Sequence, residues 1–200
     1  MAPDYRKKTL RLVKQAGILR PRDLRQHGIS RQYLRLLELA GNVQRAGRGL
    51  YTLADAPFTE THSVAEACKR VPKGVVCLLS ALRLHELTTQ LPHEVWLAMD
   101  EKARKPKVSQ PLIRVVRFSG QALTFGIQQR HIDGVLVRFY DPAKTVADCF
   151  KYRNKIGLDV AIESLRDCWR KKKATMHQLH QASKVCRVAA VMQPYMESLT

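Results

Sequence analysis

Arg31, Gln32 and Arg35 stand together in "ISRQYLRLLELAG", directly after Ser30. A guanidinium fork can bond a guanine edge or a phosphate through two parallel N–H donors, and a carboxamide can do the same for adenine. A serine at that point can bond a phosphate and cap a helix. Further on, Arg45 and Arg48 stand among glycines in "NVQRAGRGLYTL". Guanidinium groups on such a turn can lie along a phosphate backbone or enter a minor groove. The chemistry on offer is the gripping and reading of a nucleic acid.

Such side chains act only if a rigid frame presents them. Leu10, Leu12, Val13 and Ala16 recur at helical spacing and stop at Gly17, which gives a short amphipathic helix over Thr9 to Ala16. Pro21 suits the first turn of a second helix that carries Leu24 inward and ends at Gly28. Ser30 is a good N-cap for a third, running to about Ala40. On it Leu34, Leu37 and Ala40 share one face, while Arg31, Gln32, Arg35 and Glu38 point away. "NVQR" and "LYTL" then read as two strands around a glycine turn with Arg45 and Arg48 at its tip. Three helices followed by a basic hairpin is the order of a winged helix-turn-helix, whose third helix leads with its N-terminal turn into the major groove.

Charge supports that reading. The 200 residues carry a formal net charge of +18, far from neutrality and suited to phosphate partners. Residues 1–56 hold 12 Lys and Arg against 4 Asp and Glu, so the excess is densest where the helix-turn-helix is read. The five cysteines are scattered and form no Cys-x-x-Cys pair, which argues against a zinc cluster or a disulfide framework and for buried thiols in a reducing cytoplasm. The first residues lack a signal-peptide core, and no run of about 18 apolar residues occurs, so no membrane role is expected.

Ala54 to Glu60, "ADAPFTE", has the composition of a connection. Ser63-x-x-Glu66 is a capping box that opens a helix to Arg70. "GVVCLLSALRLHEL" starts as a strand and continues as a helix, and Glu94–Met99, Leu112–Phe118 and Gly134–Tyr140 read as strands. The last follows an Asp133-Gly134 turn, which makes Gly126–Ile132 its hairpin partner. Asp141-Pro142 opens a helix to about Tyr152 with Val146, Cys149 and Phe150 inward; another amphipathic helix begins near Gly157, and Thr175 caps a helical tail. The expected fold is α+β: a winged helix-turn-helix over residues 1–56, then a mixed α+β domain over residues 57–200.

Four stretches carry a family likeness: "DLRQHGISRQYLRLLELAG…RGLYTL", "LLSALRLHELTTQLPHEVWLAM", "YDPAKTVADCFKYRNKIGLDVAIESLRD" and "RVAAVMQPYMESL". Through them the chain resembles the AbiEi antitoxins, the transcriptional regulators of type IV toxin–antitoxin systems related to abortive phage infection. The resemblance implies a cytoplasmic autorepressor that binds inverted repeats upstream of its own operon through the N-terminal domain. It also implies that the C-terminal domain counteracts a nucleotidyltransferase-type toxin without forming a stable complex with it. Oligomeric state stays open, with a monomer that binds cooperatively as one option. The alternative is a plain winged-helix regulator whose second domain senses a ligand or mediates assembly.

No catalytic set is found, and no cofactor or metal is expected. "FSGQAL" at Phe118 reverses the Gly-Ser order that a nucleotidyltransferase uses and lacks the paired aspartates after it. His177 and His180 lack a third metal ligand, and Ser80, His85 and Asp148 lack a nucleophile elbow. Thr145 and Asp148 share a helix face and are expected to hydrogen-bond locally. Two basic runs in the second domain could meet nucleic acid or serve antitoxin action: Lys102, Arg104, Lys105 and Lys107, and Arg170, Lys171, Lys172 and Lys173.

Overall fold

The computed structural model describes residues 4–55 and 61–199. The connection expected at Ala54 to Glu60 thus falls mostly on residues 56–60, outside the described residues. The chain divides into two compact units: residues 1–70 together with 131–136, and residues 71–130 together with 137–200.

In the first unit, helix α1 (Tyr5–Ala16) starts four residues earlier than its leucine spacing suggests, because Asp4 caps it by accepting from the Lys7 amide at 3.1 Å. A 3-10 helix (Pro21–His27) ends on Gly28 in the left-handed conformation. Helix α2 (Gln32–Leu39) follows, then the antiparallel strands β1 (Val43–Gly47) and β2 (Leu50–Leu53). Leu19 and Tyr51 exchange backbone hydrogen bonds at 2.8 and 2.9 Å, which pins the hairpin to the helices. Val13, Leu19, Leu24, Ile29, Leu34, Leu37 and Val43 form the core. They come from α1, the 3-10 helix, α2, β1 and the links between them, so burying them together packs these elements on one core. This is a winged helix-turn-helix.

Helix α3 (His62–Arg70) and residues 131–136 complete the unit. It begins one residue before Ser63, so Ser63 does not cap it. Glu66 pairs instead with Arg70 at 2.8 Å, one turn further along. Ala40, expected on the buried face of α2, is exposed just past the end of the helix.

Gly17 ends α1 at φ +61 against the backbone of Asp133, so close that a Cβ would overlap the Asp133 carbonyl. An alanine there combines a left-handed backbone with a main-chain clash. Gly17→Ala should therefore cost roughly 1–3 kcal/mol or more in urea unfolding. A loss within about 0.5 kcal/mol would mean that the two segments separate freely.

The second unit is built on a five-stranded sheet in the order β5-β4-β3-β7-β6. These strands are β3 (Val75–Val76), β4 (Val95–Asp100), β5 (Ile113–Phe118), β6 (Ile127–Ile132) and β7 (Val135–Tyr140). β3 runs antiparallel to β4 and parallel to β7, and β4 runs parallel to β5. The β6–β7 hairpin turns at Asp133 and Gly134, both at positive φ as a type I′ turn requires. Between and after the strands come α4 (Leu78–Leu84), α5 (Gly120–Thr124), α6 (Pro142–Lys151), α7 (Arg153–Ile156), α8 (Leu158–Arg170), α9 (Met176–Val185) and α10 (Ala189–Glu197). Thr175 and Gln178 form a reciprocal cap on α9. The expected single tail is two helices, since Arg187 at φ 57 breaks it.

Helix α6 is the axis of this unit, with Val146, Ala147, Cys149 and Phe150 all at 0% exposure. It also carries Lys144 and Asp148 into the core, at 0% and 2% exposure. The Lys144 ammonium donates to Asp148 Oδ2 at 2.6 Å and lies 4.1 Å from the Tyr140 ring centroid and 4.7 Å from that of Phe118. Cys186 Sγ donates to the other carboxylate oxygen at 3.3 Å. The polar groups of this pair are satisfied within an apolar shell. All five cysteines are free and buried.

Candidate nucleic-acid interface

Helix α2 buries Leu34 and Leu37 and exposes Arg31, Gln32 and Arg35. Ser30, also exposed, has its hydroxyl 3.4 Å from the Gln32 amide it accepts from, a long bond, and Arg31 occupies the N-cap position itself. The three polar side chains thus project from the N-terminal half of the helix, whose first amides are already bonded: Tyr33 N to the Ser30 carbonyl and Leu34 N to that of Arg31, each at 3.2 Å. Leu36 and Leu39 continue the same outer surface at 45% and 76% exposure, a feature the leucine count conceals. Exposed aliphatic groups beside arginines can meet thymine methyls.

The wing differs from its expected form. Only Arg48 and Gly49 form the turn, and Arg48 is exposed there. Arg45 lies within β1 opposite Tyr51, not at the tip, because the register slips between Arg45 and Gly47. Its Nε sits 2.9 Å from Glu38 Oε1 on α2, and its guanidinium lies 5.8 Å from the Tyr51 ring centroid. Arg45 therefore ties wing to helix, and Arg48 on the turn is in no ion pair among the described residues. Arg70 Nη1 donates to the Arg48 carbonyl at 3.1 Å, while its Nε and Nη2 donate to Glu66. That brace explains why the unit extends to Arg70 and not only to the end of β2.

In the second unit Lys102, Arg104, Lys105 and Lys107 are all exposed, and none is in an ion pair among the described residues. The other run is partly neutralised. Arg170 and Lys171 reach Asp167 at 2.7 and 2.9 Å, and Lys173 lies 4.0 Å from Glu86. Lys172 is exposed at φ 51. No hydrogen bond or ion pair among the described residues joins the two runs.

The polar residues weighed for catalysis serve the core. Ser80 Oγ accepts from the Trp96 amide at 3.0 Å, and His85 Nε2 donates to the Tyr140 carbonyl at 2.7 Å. Thr145 Oγ1 donates to that same carbonyl at 3.2 Å, and Asp148 is held by Lys144. Burial keeps His85 below its ordinary pKa, so the imidazole is held neutral. Among the described residues no group of three metal-binding side chains occurs, His177 and His180 included. No described helix is long and apolar enough to cross a membrane.

A further concentration of charge lies outside any sequence motif. Arg117, Lys151, Lys184 and Arg187 line a single cavity of the second unit. They are separated by up to 70 residues in the chain and share no local pattern, so only the fold brings them together.

Comparison with known proteins agrees with the N-terminal geometry. Residues 7–54 match the family model described as a transcriptional regulator, AbiEi antitoxin. Over residues 7–54 the family resemblance drawn from the sequence holds, and the family is described as regulatory. No curated protein matches the chain. Among solved structures, the crystal structure of the RV2827C protein from Mycobacterium tuberculosis superimposes with a TM-score of 0.60 at 12% identity. The match covers 100% of this chain and 83% of that one, and it speaks to the fold alone.

Proposed function

Because residues 7–54 match the AbiEi antitoxin regulators, we infer that the protein represses its own operon by binding inverted repeats upstream of it. In the same reading it counteracts a nucleotidyltransferase-type toxin encoded beside it, without a stable complex. The observation that carries the DNA part is the set of exposed side chains Arg31, Gln32 and Arg35 at the start of α2, followed in the same unit by an exposed Arg48 on the wing turn. Arg31, Gln32 and Arg35 read base edges in the major groove, with Ser30 on a phosphate and Arg48 on the flanking backbone. Residues 1–56 supply the DNA-contacting groups, and residues 57–200 the antitoxin activity. The exposed run from Lys102 to Lys107 is the better candidate for a nucleic-acid contact there, because Asp167 and Glu86 already hold much of the Arg170 to Lys173 run.

Footprinting of the full-length protein on its own upstream DNA tests this directly. Protection of two repeats is expected. If about six phosphates are neutralised, log K should fall against log salt with a slope near −5. Absence of any protected repeat, or a flat salt response, would overturn the repressor reading. Co-expression with the neighbouring toxin, scored by growth, supplies the second arm. A full-length chain with Arg31, Arg35 and Arg48 changed to alanine should lose repression and keep rescue. Loss of both in a folded protein would sink the division of labour.

A further inference from the structure

The cavity noted above occupies about 510 Å3 in the second unit. The end of β5, the start of α5, the last turn of α6 and the last turn of α9 wall it. Its size suits a small organic ligand rather than a single ion. Arg117, Lys151, Lys184 and Arg187 line it against one carboxylate, Asp148, which is buried and already held by the Lys144 ammonium. None of the four cations is in an ion pair among the described residues. In the same unit Arg114, Arg170, Lys171 and Lys173 each have an acid within 4.0 Å. Arg117 donates Nη1 to the Asp100 carbonyl at 2.8 Å, which anchors its guanidinium and leaves other N–H groups unspent.

Helix ends explain part of this. Lys151 and Lys184 sit in the last turns of α6 and α9, where a cation is favoured by the carbonyl dipoles. Arg117 and Arg187 have no such reason. Arg187 follows the C-cap Cys186 at φ 57, the position where glycine is the favoured residue. The chain accepts a strained backbone there and places a guanidinium at the cavity. Strain of this kind, where one observes it, points to a use for the side chain. On the same wall Tyr152 is half-buried, with its ring centroid 5.7 Å from that of Phe118 and its hydroxyl donating to the Arg117 carbonyl at 3.3 Å.

Four exposed cations around one cavity call for a polyanion, an aromatic wall suits a planar ring, and the volume holds both. We propose that this cavity binds a nucleoside phosphate, with the phosphates at Arg117, Lys184 and Arg187 and the base toward Tyr152. The proposal is independent of the operator-binding reading, since all of these residues belong to the second unit.

Calorimetric titration of the full-length protein with ATP, GTP, CTP and UTP in turn, and with inorganic phosphate, tests it. At least one nucleotide should bind one-to-one with a dissociation constant below about 1 mM, and phosphate at least roughly tenfold more weakly. Arg187→Gly removes the cation while relieving the left-handed backbone, so it should raise the melting temperature and weaken the nucleotide roughly tenfold. Lys184→Gln should weaken it similarly, with circular dichroism and DNA binding unchanged. Tyr152→Leu should weaken the nucleotide but not phosphate. Failure of all four nucleotides to bind, binding unchanged in both charge variants, or phosphate binding as tightly as every nucleotide would each overturn the proposal.

Discussion

Replacing Lys144 by alanine should lower the unfolding free energy by about 3–5 kcal/mol, the range expected when one partner of a buried ion pair is removed. The size follows from what remains. Asp148 would be left in a core at 2% exposure without the ammonium that lies 2.6 Å from it, and beside a gap against Phe118 and Tyr140. The pair itself need not be a net gain, because desolvating two charges offsets much of their attraction. Lys144→Met combined with Asp148→Leu should therefore lie within about 1–2 kcal/mol of the parent protein.

The pH dependence has a definite sign. Burial is the largest influence on Asp148 and lifts its carboxyl to about 6 from 3.8, against the opposing pull of Lys144. Between those values the folded chain holds a proton that the unfolded chain releases. The stability this group contributes is complete below 3.8 and is lost as pH rises through about 6. The double variant lacks that titration. Relative to the parent it should gain stability as the pH rises from 4 to 7. Urea unfolding at the two pH values measures both effects. A loss under about 1 kcal/mol for Lys144→Ala would show that water reaches Asp148 readily.

How far the sequence carried the fold can be judged residue by residue. Leu34 and Leu37, the Asp133-Gly134 turn, the Asp141-Pro142 cap and the Thr175 cap were legible because each acts through neighbours a few positions away. Lys144 was not, since lysine is ordinarily a surface residue and its burial depends on rings at Phe118 and Tyr140. Arg45 was placed at the wing tip because a bulge between Arg45 and Gly47 cannot be read from glycine spacing. The brace from Arg70 to the Arg48 carbonyl is likewise tertiary. For the same reason the family-like N-terminal stretch suggested a nucleic-acid surface, while the cavity shared by Arg117, Lys151, Lys184 and Arg187 left no trace in the sequence.

Arg35→Ala should relax sequence preference by roughly 1–3 kcal/mol at the base pair it contacts, while leaving non-specific affinity nearly unchanged. The expectation rests on position: Arg35 is exposed on α2 one turn after Arg31, without a described acidic partner, and so is free to bond a base edge. Arg48→Ala should behave differently, weakening all sequences alike and reducing the salt slope by about one, as befits a phosphate contact on the turn. Arg45→Ala should change affinity least directly, because Glu38 at 2.9 Å already satisfies its guanidinium. Its loss would instead loosen the wing against α2. Glu38→Gln supplies the check on that assignment: removing the carboxylate frees Arg45 and subtracts a negative charge beside the DNA, so non-specific binding should tighten by up to about tenfold. Competition binding with the operator, single-base variants and unrelated duplex separates these outcomes. If Arg48→Ala alters base preference while Arg35→Ala leaves it intact, the wing reads the sequence and α2 grips the backbone, the reverse of the docking proposed for these elements.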